Sequence, residues 1–103
     1  MMRAVLLGCL LILAACSGQQ HSEARQQVAA QLKDPASAQF RNVRASTLRD
    51  TDVCGEVNAK NSFGGYTGFK RFIVADSGAF LEGQSGEEGD AYFDVLWSGS
   101  CSV

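Results

Sequence analysis

The pattern of apolar and polar residues after position 21 begins with a helical repeat. Apolar side chains recur at intervals of four, one and three residues, and they form a narrow stripe that consists of Ala24, Val28, Ala29 and Leu32. Ser22 can cap the start of this helix, which should end near Lys33 because the residue before Pro35 disfavours the α-helical conformation. The pattern therefore predicts an N-terminal helix with one apolar face.

Four later segments have the apolar or alternating character of β-strands, and turn-favouring residues separate them. They are residues 39–45, 53–60, 69–75 and 79–82. In the first segment, Phe40 and Val43 cannot both face a core unless the strand contains a bulge or a twist, and Arg41 and Arg44 should project into solvent. The third segment is nearly continuous in apolar character, which indicates a central strand. Together with the helix, these segments predict an α+β fold with a small antiparallel sheet of three to four strands.

The segment from Asp90 to Ser98 is compatible with two conformations. Its large apolar residues have the spacing of a helical face, with Asp90 as the N-cap and Gly99 as the residue after the helix. Its aromatic content favours a strand instead. We expect a short C-terminal helix, which would bring Cys101 within reach of Cys54, and a solvated loop over residues 84–89.

The first fifteen residues are organised as a secretory signal. A basic start at Arg3 precedes an apolar run from Ala4 to Leu13, which is too short to span a bilayer. The run ends in Leu-Ala-Ala-Cys, which resembles the lipobox of bacterial lipoproteins. This resemblance implies cleavage before Cys16, a diacylglyceryl group on its thiol, and acylation of the new N-terminus by a fatty acid such as palmitate. The alternative is an ordinary secretory signal followed by a cysteine by chance.

A lipidated Cys16 would attach the protein to a membrane of the bacterial cell envelope. Residues 16–21 are polar and short, and they would form a tether to a single domain that comprises residues 22–103. Ser17 is not the aspartate that retains some lipoproteins in the inner membrane. The prediction therefore favours the outer membrane, with the domain facing the periplasm, and the inner membrane is the alternative.

Two internal cysteines, Cys54 and Cys101, would accompany the acylated Cys16 in the mature chain. An even pair in an oxidising compartment is typical of a disulfide. A reactive or metal-binding pair of thiols would need partners, and the only histidine of the sequence is His21, in the tether. A disulfide that closes a loop of this length would stabilise such a small domain by about 4 kcal/mol.

Charge is distributed unevenly along the chain. Residues 16–71 contain eight basic and five acidic side chains, whereas residues 72–103 contain six acidic side chains and no lysine or arginine. Attraction between the two halves of a small fold would account for this distribution. A basic face that binds an acidic partner is the alternative. Nucleic acid is not expected as a partner of a mildly acidic envelope protein.

The sequence contains no recognisable catalytic arrangement. A serine hydrolase needs a histidine base with an orienting acid, and a cysteine nucleophile needs a free thiol with a basic partner. Glu87, Glu88 and Asp90 lack the spacing of a calcium loop, and the sequence offers no ligand set for zinc or copper. We therefore expect a protein that is not an enzyme and that needs no metal or cofactor.

The segment between the second and third predicted strands is rich in glycine and in polar side chains. Its Gly-Gly-Tyr-Thr-Gly run lacks the pattern of a phosphate-binding loop, which favours a bent hairpin connection. The polar side chains either hydrogen-bond the backbone of the loop or present donors to a protein or a glycan. The candidate partner-binding residues are Asn58, Lys60, Asn61 and Tyr66.

Three segments carry a longer resemblance. They are LKDPASAQFRNV from Leu32, VCGEVNAKNSFGGYTGFKRFIV from Val53, and FDVLW with the later Cys101. Together they are similar to a group of small bacterial and phage-associated lipoproteins, which share the motifs KDPxSAxF and VCGxVNAKNSxGGYxG and a final cysteine. The resemblance implies an α+β fold and a Cys54–Cys101 disulfide, and it implies no activity and no catalytic residue.

These observations lead to two functional hypotheses. The first is a lipid-anchored envelope protein that binds another envelope component, a protein or a glycan, without catalysing a reaction. The second is an inhibitor or immunity-type lipoprotein that acts on a periplasmic or phage-derived cell-wall enzyme. The phage association and a loop that could enter an active site are the reasons for the second hypothesis.

Replacement of Cys16 by alanine tests the lipid anchor. The variant should incorporate no labelled palmitate and should leave the membrane fraction, because the thiol that would carry the diacylglyceryl group is missing. Cys9→Ala is the matched control, since Cys9 lies in the apolar run before the lipobox, and it should still be labelled. Palmitate labelling of the Cys16→Ala protein, or its continued membrane attachment, would contradict the assignment.

Overall fold

The computed structural model of the 103-residue chain describes residues 20–84 and 86–102. Residues 20–29 are helical and are called α1, and a 3-10 turn follows at Pro35–Ser37. The strands are β1 (Gln39–Ala45), β2 (Val53–Asn58), β3 (Lys70–Ala75) and β4 (Gly78–Leu81). A second helix, α2, comprises Gly86–Ser100.

The four strands form one antiparallel sheet in the order β1-β2-β3-β4, so that each strand pairs with its neighbour in the sequence. The predicted α+β fold with a small antiparallel sheet is confirmed. β3 occupies a central position, as its apolar run indicates, and its residues Phe72, Ile73 and Val74 are buried on both faces of the sheet.

One face of the sheet packs against α1. Ala24 and Val28 of the helix are buried in a cluster with side chains from β2, β3 and β4, and Leu32 packs against its edge. The strand residues of this cluster are Val53, Val57, Phe72, Val74 and Leu81. The helical residues end at position 29, which is earlier than the sequence indicates. The predicted tether lies outside the described residues, apart from Gln20 and His21, which are helical.

The opposite face of the sheet packs against α2. Cys54 of β2 and Ile73 of β3 form a second buried cluster with Phe93 and Cys101, and Leu96 and Trp97 lie at its edge. Successive side chains of a strand point to opposite faces of the sheet. In β2, Val53 and Val57 therefore face α1, whereas Cys54 faces α2. The described part of the chain is therefore a sheet between two helices.

The helical prediction for residues 90–98 is confirmed, but the helix is longer than expected. It begins at Gly86, so most of the predicted loop 84–89 is helical. Glu87 and Glu88 lie in the first turn, where carboxylates interact favourably with the positive end of the helix dipole. Asp90 is not the N-cap, because it lies inside the helix. Its carboxylate accepts a hydrogen bond from the backbone N–H of Gly83 at 2.8 Å.

The irregularity expected in β1 is present. The register with β2 shifts between Arg41 and Arg44, and Asn42 has a φ of 55°, a left-handed conformation that asparagine tolerates better than most residues. The shift allows both Phe40 and Val43 to pack against the first cluster. The rings of Phe40 and the buried Phe72 form a T-shaped pair with a centroid distance of 5.8 Å.

The two arginines of β1 differ in position. Arg41 lies at the surface and forms an ion pair of 3.0 Å with Glu56. Arg44 does not project into solvent as expected, because α2 covers this face: its guanidinium donates to the carbonyl oxygen of Cys101 at 2.6 Å and lies 5.4 Å from the Trp97 ring centroid. Hydrogen bonds from Arg41, and then from Asn42, hold the pKa of Glu56 below its usual value.

Gly55 of β2 lies directly against the ring of Phe72 and close to the side chain of Val43. A Cβ atom at this position would lie 2.6 Å from Cζ of Phe72 and 3.2 Å from Cγ2 of Val43. The Phe72 ring is fully buried, so it has little room to move. Close packing between the strand backbone and an aromatic ring therefore explains the glycine of the Val-Cys-Gly-Glu-Val segment.

Arg71 connects β3 to both β4 and α2. Its guanidinium forms an ion pair with Glu82 at 2.6 Å and another with Asp94, and it lies about 5 Å from the ring centroids of Phe93 and Trp97. Burial is the largest single influence on the Glu82 carboxyl and raises its pKa, but hydrogen bonds and the charge of Arg71 together lower the pKa below its usual value. This arginine helps to hold the helix on the sheet.

The predicted disulfide between Cys54 and Cys101 is confirmed. The two Cα atoms lie 5.8 Å apart, both residues are completely buried, and 47 positions separate them in the sequence. The bond joins the middle of the sheet to the residue that follows α2, so it restricts the second helix at its C-terminal end.

Removal of the disulfide by the double replacement Cys54→Ala and Cys101→Ala should lower the free energy of unfolding by about 4 kcal/mol, because the unfolded chain regains the entropy of a long open loop. Urea unfolding, followed by the fluorescence of Trp97, measures this loss. Dithiothreitol should destabilise the natural protein to a similar extent and leave the double variant unchanged. Two alkylatable thiols in the natural protein before reduction would contradict the disulfide.

The Arg71–Glu82 pair should make the stability depend on pH. The folded-state pKa of Glu82 lies below the usual value of 4.5, so the pair stabilises the protein above that pH and its contribution is lost as the pH falls through the folded-state pKa. Glu82→Gln should reduce the free energy of unfolding at pH 7 by about 1 kcal/mol and should flatten its decrease toward pH 3. Asp50→Asn, an exposed carboxylate, is the control. An equally steep decrease in Glu82→Gln would contradict the pair's role.

Candidate binding surface at the β2–β3 loop

The two ends of the sheet contain different parts of the chain. At one end, which we call the entry end, the Gln20 side-chain amide donates to the carbonyl oxygens of Asp50 and Thr51, at 3.2 and 2.9 Å. The same end contains the last turn of α2, where the carbonyl oxygen of Ser100 accepts a hydrogen bond from the N–H of Thr47 at 2.8 Å. The described chain thus begins beside the β1–β2 connection.

The opposite end, called the loop end, contains the β2–β3 loop, residues 59–69. Leu32, which follows α1, lies here beside Val57 and Leu81, close to the far ends of β2 and β4. α1 therefore runs from the entry end toward the loop end. The 3-10 turn also lies at the loop end, where Ser37 contacts the loop.

Asn61 organises the tip of the β2–β3 loop. Its side-chain Oδ1 accepts hydrogen bonds from the N–H groups of Phe63 and Gly65, at 3.0 and 3.1 Å. Its backbone N–H donates to the carbonyl oxygen of Gly65 at 2.9 Å, and its carbonyl oxygen accepts from Gly64 at 3.1 Å. The backbone groups at the tip thus bond to one asparagine and not to a neighbouring strand, as in an Asx-type turn.

The base of the loop is fixed to its surroundings by three further contacts. The backbone N–H of Lys60 donates to Oγ of Ser37 at 2.9 Å, and the Tyr66 hydroxyl donates to the carbonyl oxygen of the same serine at 3.0 Å. Oδ1 of Asn58 accepts from the N–H of Gly68 at 3.0 Å. Lys60 and Tyr66 also form an isolated β-bridge across the loop. The loop therefore has a defined shape.

The four candidate residues identified from the sequence lie together in this loop and at its base. Asn58, Asn61 and Tyr66 use side-chain polar atoms for contacts within the protein, which is the structural alternative considered above. The Lys60 ammonium group lies 5.8 Å from the Tyr66 ring centroid and is exposed. These contacts explain the loop's shape, and a role of the four residues in binding a partner stays a prediction.

Phe63, at the tip of the loop, was not among the sequence candidates. It is 97% exposed, although phenylalanine is usually buried. The N–H of Phe63 is held by Asn61, and Gly64 continues the chain with a φ of 81°, so the backbone on both sides of the ring is defined. A signal was available in the sequence: a single aromatic residue lies between Asn-Ser and Gly-Gly, where no strand can bury it.

The described residues offer neither a metal cluster nor a membrane-spanning helix. No group of three or more histidine, cysteine, aspartate or glutamate side chains in residues 20–84 and 86–102 is arranged to hold a metal ion. In the same part of the chain, no helix has the length and apolar character needed to cross a membrane.

Comparison of the chain with protein-family models, with curated proteins and with solved structures finds no significant match. The similarity to phage-associated lipoproteins therefore stays an interpretation of the sequence motifs. The feature of the described residues that bears on function is the loop end, where a loop of defined shape presents the exposed ring of Phe63.

Proposed function

We propose that this chain is a lipid-anchored protein of the cell envelope that binds another envelope component through the β2–β3 loop and catalyses no reaction. The observation that carries the proposal is the exposed ring of Phe63 on a loop with a defined shape. Aromatic side chains are frequent energetic centres of protein interfaces. A loop that is already ordered loses less conformational entropy on binding than a flexible one.

The direction of the chain supports a partner away from the anchoring membrane. Three residues separate the proposed lipid site, Cys16, from Gln20 at the entry end, and a chain of this length spans no more than about 14 Å. The entry end would therefore lie near the bilayer. α1 leads from there to the loop end, so Phe63 would point toward the periplasm.

The shape of the loop tip supports a second candidate, inhibition of a cell-wall enzyme. Phe63 is followed by Gly64 and Gly65 and preceded by Ser62, so the tip carries one large side chain between small residues. A narrow tip of this kind can enter a concave active site, whereas a broad polar surface cannot. The two candidates use the same residue and differ in the partner.

Site-specific photo-crosslinking in intact cells tests the proposed function. A benzoylphenylalanine at position 63 of the full-length lipoprotein should capture a defined envelope protein, because the side chain would be buried against that partner. The matched control carries the same group at Tyr92, which is exposed on α2. A specific product from position 63 alone is expected, and its absence, or the same products from both positions, would contradict the proposal.

The variant Phe63→Ala separates binding from folding. It should reduce copurification of the captured partner by about thirtyfold, the effect of removing an interface centre of about 2 kcal/mol, and should leave the urea midpoint unchanged because the ring has few internal contacts. If the captured protein is a wall hydrolase, inhibition by the natural lipoprotein and loss of inhibition in Phe63→Ala identify the second candidate. Unchanged copurification would argue against both.

A further inference from the structure

A cleft of about 230 Å³ lies at the loop end, between the chain that follows α1 and the β2–β3 loop. Three lysines line it, and they come from three separate parts of the fold: Lys33 follows α1, Lys60 lies in the first part of the loop, and Lys70 begins β3. We call it the lysine cleft. It lies beside the loop, and Phe63 does not line it.

The positive charge of the lysine cleft is not balanced within the described part of the chain. None of its three lysines forms an ion pair with residues 20–84 or 86–102. Glu82 is the only acidic residue that lines the cleft, and its carboxylate is held by Arg71 at 2.6 Å. Like charges that share a small cleft repel each other, and a bound anion would offset that repulsion.

The inner wall of the cleft is apolar. Leu81 and Val57 are buried core residues, and Leu32 packs against the same cluster, so the cleft reaches the edge of the first hydrophobic core. Uncharged polar side chains, among them Asn61 and Thr67, also line the cleft. Lysine side chains beside an apolar wall are the features of a site for a ligand with a charged end and an apolar end.

We propose that the lysine cleft binds a small organic anion, in which a phosphate or a carboxylate is attached to a short apolar group. The ammonium groups of Lys60 and Lys70 contact the anion, and the apolar group lies against Val57 and Leu81. An inorganic anion uses only the first half of these contacts, and an organic cation with the same apolar group is repelled by the lysines. This site does not depend on Phe63, the residue that carries the proposed function of the loop, because Phe63 does not line the cleft.

Titration of the full-length lipoprotein in a neutral detergent, followed by amide NMR at constant ionic strength, tests the site. The probes are butyl phosphate, pentanoate, inorganic phosphate and butyltrimethylammonium. Butyl phosphate or pentanoate should shift the amide of Gly68, which lines the cleft, in a saturable manner and should leave Gly99 of α2 unchanged. Which of the two probes binds more tightly identifies the anionic group. Inorganic phosphate should bind about tenfold more weakly, and butyltrimethylammonium should not bind.

Matched variants connect the shifts to the lysines. Lys60→Gln with Lys70→Gln should weaken binding of butyl phosphate or pentanoate by about tenfold or more, whereas Arg25→Gln with Arg49→Gln removes the same charge from exposed positions outside the cleft and should have no effect. Equal weakening by both pairs, or inorganic phosphate that binds as tightly as butyl phosphate, would overturn the proposal. Phe63→Ala should bind the probes normally, so a failure of the loop proposal and a failure of this one are distinguishable.

Discussion

The attachment of α2 to the sheet is the constraint on which the second face of this domain depends. Phe93 is the only residue of the helix that is buried, while Tyr92 and Val95 are exposed, so apolar packing alone gives the helix a small contact with the sheet. The Cys54–Cys101 disulfide fixes its C-terminal end, and Arg71 joins its middle to β3. A covalent bond and a charged bridge thus supplement a small core, as expected for a domain of this size.

The two helices leave the ends of the sheet as the places where recognition is expected. α1 and α2 cover both faces, and Gly55 brings the backbone of β2 so close to Phe72 that the strand cannot shift without disturbing the core. β2 begins beside the disulfide and ends at the base of the β2–β3 loop. The rigid part of the fold therefore holds the loop directly, and Asn61 transmits that order to its tip.

Much of this arrangement follows from local patterns in the sequence. The strands could be predicted from their apolar or alternating runs. The bulge of β1 could be predicted because Phe40 and Val43 conflict with simple alternation, which is a local property. The start of α2 could not, because glycines at 86 and 89 suggest a loop until the favourable position of the acidic first turn is known. Lys33, Lys60 and Lys70 are far apart in the sequence and have no common pattern, so only the folded chain brings them to one cleft.

The uneven charge of the two halves of the chain has a structural explanation that is only partly internal. Within the described residues, Arg71 is the single basic side chain that pairs with acids from the second half, Glu82 and Asp94. The pair of Arg41 with Glu56 lies within the first half. Among the basic side chains of the described residues, attraction between the halves therefore involves only Arg71. The lysines of the cleft lie on the α1 side of the loop end, while Glu87 and Glu88 lie in the first turn of α2. A partner that reaches the loop from the α1 side meets positive charge, and one that reaches it from the α2 side meets negative charge.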